Sequence, residues 1–136
     1  MNPRLVITAL FLLTVSPASV PAQGSLVYKV LATSKTSTMQ QEMQEAGAAG
    51  YRFVAVMGGE TAMGGNEVVV LMEKQGNDAT KYEYRLLATN RTSTLQKELQ
   101  ELGDQGFAAV AMTVGETAIG GAELVVITRR KAGSGK

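Results

Sequence analysis

Residues 28–74 read YKVLATSKTSTMQQEMQEAGAAGYRFVAVMGGETAMGGNEVVVLMEK, and residues 84–130 read YRLLATNRTSTLQKELQELGDQGFAAVAMTVGETAIGGAELVVITRR. The second string lies on the first without a gap at an offset of 56, with 24 identities in 47 positions. A match of that length marks a tandem duplication, so whatever one copy folds into, the chain contains twice. The period exceeds those of the common solenoids, and two copies are too few for an array. One pseudo-symmetric domain is therefore the economical reading. The connection between copies, QGNDATK at 75–81, carries turn chemistry in Gly76, Asn77 and Asp78.

Within each copy the hydrophobic period changes in a definite order. Residues 26–33 and 81–89 are rich in Tyr, Val and Leu, with interspersed charge at Lys29, Glu83 and Arg85, as half-buried strands require. Met39, Met43 and Ala46, matched by Leu95, Leu99 and Leu102, then recur at i, i+4 and i+7, which is one face of a helix. Ser37 and Ser93 stand three residues before Gln40 and Gln96, the spacing of a capping box. Glycines at 47 and 50, and at 103 and 106, predict the helix ends, because Gly enters the left-handed conformation that closes a helix. Residues 51–57 and 107–114 predict second strands, and residues 67–73 and 123–129 third strands. Gly-rich connections join them at 58–65 and 115–121.

The expectation is an α+β fold in which two tandem βαββ repeats, 26–74 and 82–130, form a two-layer domain over residues 23–131. A mainly antiparallel six-stranded sheet would carry both helices on one face, and residues 132–136 would be a flexible tail. In the second repeat Tyr84, Leu86, Phe107 and Val126 fall on one parity, and Leu87, Val110, Met112, Val125 and Ile127 on the other. A sheet covered on one side only shows polar residues on the other, so apolar residues on both parities predict a second cover, a protomer or a ligand.

The N-terminus reads as a secretory signal peptide over residues 1–22. Arg4 supplies the positive start, residues 5–15 form an uncharged apolar run, and a small-residue exit predicts a cut after Ala22. The run is too short for a permanent span, so no stable membrane span is expected after cleavage, and the chain is placed in the periplasm or outside the cell. The 136 residues include no Cys, His or Trp, which removes thiolate nucleophiles, imidazole acid/base steps, disulfides and Cys or His metal sites. With 13 basic against 12 acidic residues there is no excess of positive charge, and nucleic acid is not an expected partner. No cofactor or metal motif is present in the sequence pattern. The Met residues align mostly with other apolar residues between copies and read as adaptable core filler.

Tyr82-Glu83-Tyr84-Arg85, followed by Leu99-Gln100-Glu101-Leu102-Gly103-Asp104-Gln105-Gly106-Phe107, resembles the bacterial family called domain of unknown function 4177. The first copy matches through Tyr28-Lys29-Val30 and Ala46-Gly47-Ala48-Ala49-Gly50-Tyr51, with Tyr51 and Phe107 where the family usually shows Trp. The resemblance implies a strand, a helix ending in Leu-Gly-x-x-Gly-aromatic and a strand hairpin. It implies no activity and no catalytic residues.

Two constellations are candidate sites. The first is Gly59, Glu60, Thr61, Gly64 and Gly65 with its echo Gly115, Glu116, Thr117, Gly120 and Gly121, the GETAxGG strings of the two hairpins. Backbone amides freed by glycines can cradle an anion, and Glu60, Glu67, Glu116 and Glu123 can instead converge on a hard cation through oxygen. The same glycines also supply what a hairpin connection needs with no ligand. The second is Lys35 and Ser37 with Arg91 and Ser93, a cation and a hydroxyl at each helix start, a weak anion site whose hydroxyls capping alone explains. No nucleophile and base constellation can be named. The leading expectation is an exported non-catalytic module acting by self-association or by contact with an envelope protein. The alternative is a small-ligand or ion binder at the hairpin loops, and a weaker one is a carboxylate-dependent hydrolase.

Overall fold

The computed structural model describes residues 24–60, 65–116 and 121–134. The leader reading and its cut lie outside these residues, as do Thr61, Gly64, Thr117 and Gly120. The elements run β1 (Leu26–Thr33), α1 (Thr36–Ala48), β2 (Arg52–Glu60), β3 (Asn66–Gln75), β4 (Tyr82–Thr89), α2 (Thr92–Asp104), β5 (Ala108–Glu116) and β6 (Ala122–Lys131). The α+β class, the antiparallel pairing and the twofold βαββ order read from the sequence are all present.

The strands hydrogen-bond as two three-stranded sheets, β1-β3-β2 and β4-β6-β5, where the sequence reading joined all six. In each sheet the last strand of the repeat lies in the centre, antiparallel to both neighbours. Those are the strands with the unbroken apolar runs VVVLM and LVVI, and a run without alternation presents apolar side chains to both faces of its sheet. The sheets meet at β2 and β5, where a Cβ on Gly58 would lie 2.2 Å from the Val114 carbonyl oxygen. Among the described residues no ladder joins them.

Each second strand carries a register shift, between Phe53 and Ala55 in β2 and between Ala109 and Ala111 in β5. The extra residue, Val54 or Val110, is a β-bulge repeated in both copies. Both strands also run further than the Gly-rich connections predicted. Gly59 and Glu60 pair with Glu67 and Asn66, and Gly115 and Glu116 pair with Glu123 and Ala122, so these four are ladder residues.

The helix ends match the glycine reading. Tyr51 N–H donates to Ala46 O and Gly50 N–H to Gly47 O, with Gly50 at φ +92; Phe107 N–H to Leu102 O and Gly106 at φ +84 repeat this. This is the Schellman arrangement, and it explains the Gly-x-x-Gly-aromatic spacing. The Lys74 ammonium and the Arg130 guanidinium each reach the final carbonyl, Ala49 O at 2.7 Å and Gln105 O at 2.8 Å, at the negative end of the helix.

The helix starts differ from the capping-box reading. Lys35 and Arg91 are the N-cap residues and make no side-chain cap. Thr33 and Thr89 hydroxyls instead accept from the Lys35 and Arg91 amides at 3.2 and 3.1 Å. Ser37 and Ser93 lie inside the first turn, and Gln40 is engaged elsewhere.

The core lies between the repeats. Leu31, Val70 and Met72 of the first sheet and Met39, Met43 and Ala46 of α1 pack with Tyr82, Tyr84 and Ile127 of the second sheet. Met39, Met43 and Met72 are buried, as core filler should be; Met57 and Met112 are exposed. The register places Leu86 opposite Ile127 and Leu87 opposite Val126. Val126 therefore belongs with Leu87, which corrects the grouping by sequence parity; counting parity across separate strands does not fix their relative register.

Candidate functional site

Two regions bring candidate residues together. The first is a cleft of about 460 Å³ at the hairpin ends, lined among others by Ser34, Thr36, Gly59, Glu67, Glu116 and Gly121. Gly115 lines it as well, and Glu60 does not. The carboxylates here tie one repeat to the other. Asn66 Nδ2 donates to Glu116 Oε2, and Thr36 Oγ1 donates to Glu123 Oε1 at 2.9 Å. The four glutamates do not form one cation cage: among the described residues no group of three acidic side chains is placed to hold a metal ion. With Glu67 and Glu116 on its wall the cleft is acidic, which disfavours the anion reading.

Lys35, Ser37, Arg91 and Ser93 are all exposed, each pair at its own helix start. Capping does not employ either serine.

The second region is the contact between the repeats. Helix α1 lies along β4, the outer strand of the second sheet. An outer strand presents unpaired backbone groups, and α1 satisfies two of them with one side chain. Gln40 Nε2 donates to Tyr84 O at 2.9 Å, and Leu86 N–H donates to Gln40 Oε1 at 2.6 Å. Gln44 adds a longer contact to the same carbonyl at 3.4 Å. Gly47 permits the approach, because a Cβ there would meet Tyr82 O at 2.4 Å and the Tyr84 ring at 2.8 Å. Tyr84 Oη accepts from Phe53 N–H at 2.7 Å and donates to Tyr51 O at 3.2 Å. Burial pushes the Tyr84 phenol above its usual value, against the opposing pull of the Phe53 amide on the phenolate.

The equivalent surfaces, on β1 of the first repeat and on α2 of the second, are bare among the described residues. Tyr84 is 0% exposed while its counterpart Tyr28 is 56% exposed. Leu26, Val30 and Met57 share the face of Tyr28 by alternation and register, and they too are exposed. On the helix side, Gly47 is buried, whereas a Cβ on Gly103 would meet nothing within 4 Å. The second cover expected from apolar parity is thus supplied to the second sheet by α1, inside the chain. Among the described residues nothing covers the first sheet in this way.

Sequence reasoning missed Gln40, Gly47 and Tyr84 as a set. The signal available was a glycine inside a helix, where it costs about 1 kcal/mol relative to Ala and so asks for a packing reason. Comparison with protein-family models, with curated proteins and with solved structures returns no match to this chain. Among the described residues no helix is long and apolar enough to cross a membrane.

Proposed function

We propose that the chain is an exported, non-catalytic association module, working through the uncovered face of its first sheet. The observation that carries this is the exposed row Leu26, Tyr28, Val30 and Met57 on a sheet whose twin buries the same face. Contiguous apolar patches of this kind mark contact sites. The export component rests on the leader read over residues 1–22, and the absence of His and Cys from the chain supports a non-catalytic role.

Native mass spectrometry of the protein recovered from the exported fraction tests both parts. A chain beginning at Gln23 and carrying a partner, of its own kind or another, is the expected result. A bare monomer at every concentration, with Val30→Lys indistinguishable from the unaltered chain, overturns it.

The hairpin cleft favours a second reading, a small cationic or neutral ligand held beside Glu67 and Glu116. Calorimetric titration with calcium, against Glu116→Gln, tests the cationic form of that reading: heat lost in the variant supports it, and no heat in either removes it.

A further inference from the structure

The contact of α1 with β4 joins two unlike surfaces, a helix from one repeat and a sheet edge and face from the other. Because the repeats share a sequence pattern, the chain carries each surface twice, and it uses only one of each. The unused helix surface is on α2 and the unused sheet surface is on β1 and its neighbours. They do not meet within the chain, since Tyr28 is exposed and the space at Gly103 is open.

We infer that a second copy of this chain is the partner, docking its β1 edge and face on α2 in the geometry in which β4 docks on α1. This rests on the association reading above and names its occupant. The groups the contact needs are in place at the offset of the repeat. Gln96 stands for Gln40 and its side chain is exposed, so its amide is free to donate to Tyr28 O and its oxygen to accept from Val30 N–H. Gly103 stands for Gly47 and leaves room for the Tyr28 ring. Tyr28 keeps the hydroxyl, and its partners would be backbone groups, Ala109 N–H and Phe107 O, in place of Phe53 N–H and Tyr51 O. Val30 and Leu71 supply the apolar floor that Leu86 and Ile127 supply inside the chain.

Such an interface is heterologous. Each copy that docks through β1 still offers its own α2, so association continues until a ring closes or a filament grows. A face-to-face dimer, by contrast, would use the β1 face twice and leave α2 idle.

The two geometries separate by complementation with the full chain. Val30→Lys disables the sheet surface, and Gly103→Ala disables the helix surface by filling the space the Tyr28 ring needs. Sedimentation velocity over a wide concentration range is the readout. The unaltered chain is expected to grow in mass with concentration, each variant alone to associate at least ~10-fold more weakly, and the two mixed to form heterodimers that stop at two. Gly103→Ala should meanwhile raise the melting temperature of the monomer, so its defect cannot be loss of fold. Gln96→Ala is a second variant on the helix side with the same expectation.

If Val30→Lys abolishes association while Gly103→Ala and Gln96→Ala leave it intact, the head-to-tail geometry is wrong and the association reading stands. Capture of a different protein by a chain that stays monomeric by itself has the same consequence. A chain that neither self-associates nor holds any partner overturns both.

Discussion

Removing the single hydroxyl of Tyr84 tests how the repeats are held together. In Tyr84→Phe the ring still fills its place among Met39, Met43 and Met72, so no cavity opens. What is lost is the acceptor for Phe53 N–H at 2.7 Å and the donor to Tyr51 O at 3.2 Å. The carbonyl retains a second lone pair, and the amide has no alternative, so the amide sets the magnitude. A buried donor left unsatisfied costs about 1–3 kcal/mol. For a domain of this size that is a fall in Tm of roughly 5–20 °C. Urea and thermal unfolding followed by circular dichroism, at a concentration where the chain is monomeric, give the number. Tyr28→Phe is the internal control, because the same substitution at an exposed position is expected to stay within about 0.5 kcal/mol. The pH dependence follows from burial, which raises the folded-state pKa of Tyr84 above its unfolded value near 10.0. The folded chain then holds that proton more tightly, so this contribution is complete below the unfolded pKa and is lost as pH rises through the folded one. Alkaline unfolding should therefore be steeper in the unaltered chain than in Tyr84→Phe. Equal stabilities for Tyr84→Phe and Tyr28→Phe would refute the cross-repeat hydrogen bonds.

Gln40→Ala should destabilise by about 1–3 kcal/mol, since it strands Leu86 N–H on an outer strand covered by α1, and urea midpoints check it. Gly47→Ala should destabilise in spite of better helix propensity, because its Cβ would sit 2.4 Å from Tyr82 O; paired with Gly103→Ala, which should stabilise by about 0.5–1 kcal/mol, it reverses sign across the repeat. Gly106→Ala should cost about 1–2 kcal/mol, because φ +84 there is strained for any residue with a Cβ, and differential scanning calorimetry will show it.

The duplication made the fold legible, since an error in assigning one copy would have had to recur in the other. Helix ends are legible in the sequence because Gly50 and Gly106 have a local physical cause that needs no tertiary context. Helix starts were harder: the Ser37 to Gln40 spacing fits a capping box, but Gln40 reaches a strand 44 residues away, and no local pattern announces that. The GETAxGG strings misled in another way. Gly59 and Glu60 looked like loop composition, yet they are ladder residues whose pairing with Glu67 and Asn66 depends on register across a hairpin.

The division of the six strands into two sheets has the same origin. Nothing in the sequence of β4 states that its outer edge is taken by a glutamine side chain, and without that an outer strand is free to pair with another. Once α1 occupies the edge, the two sheets can no longer join there, and the apolar face around Tyr84 and Ile127 is closed by the same helix. Similar repeats thereby become unlike in context. Among the described residues the first keeps an open sheet face and the second an open helix, an inequality produced by one contact between near-equal halves.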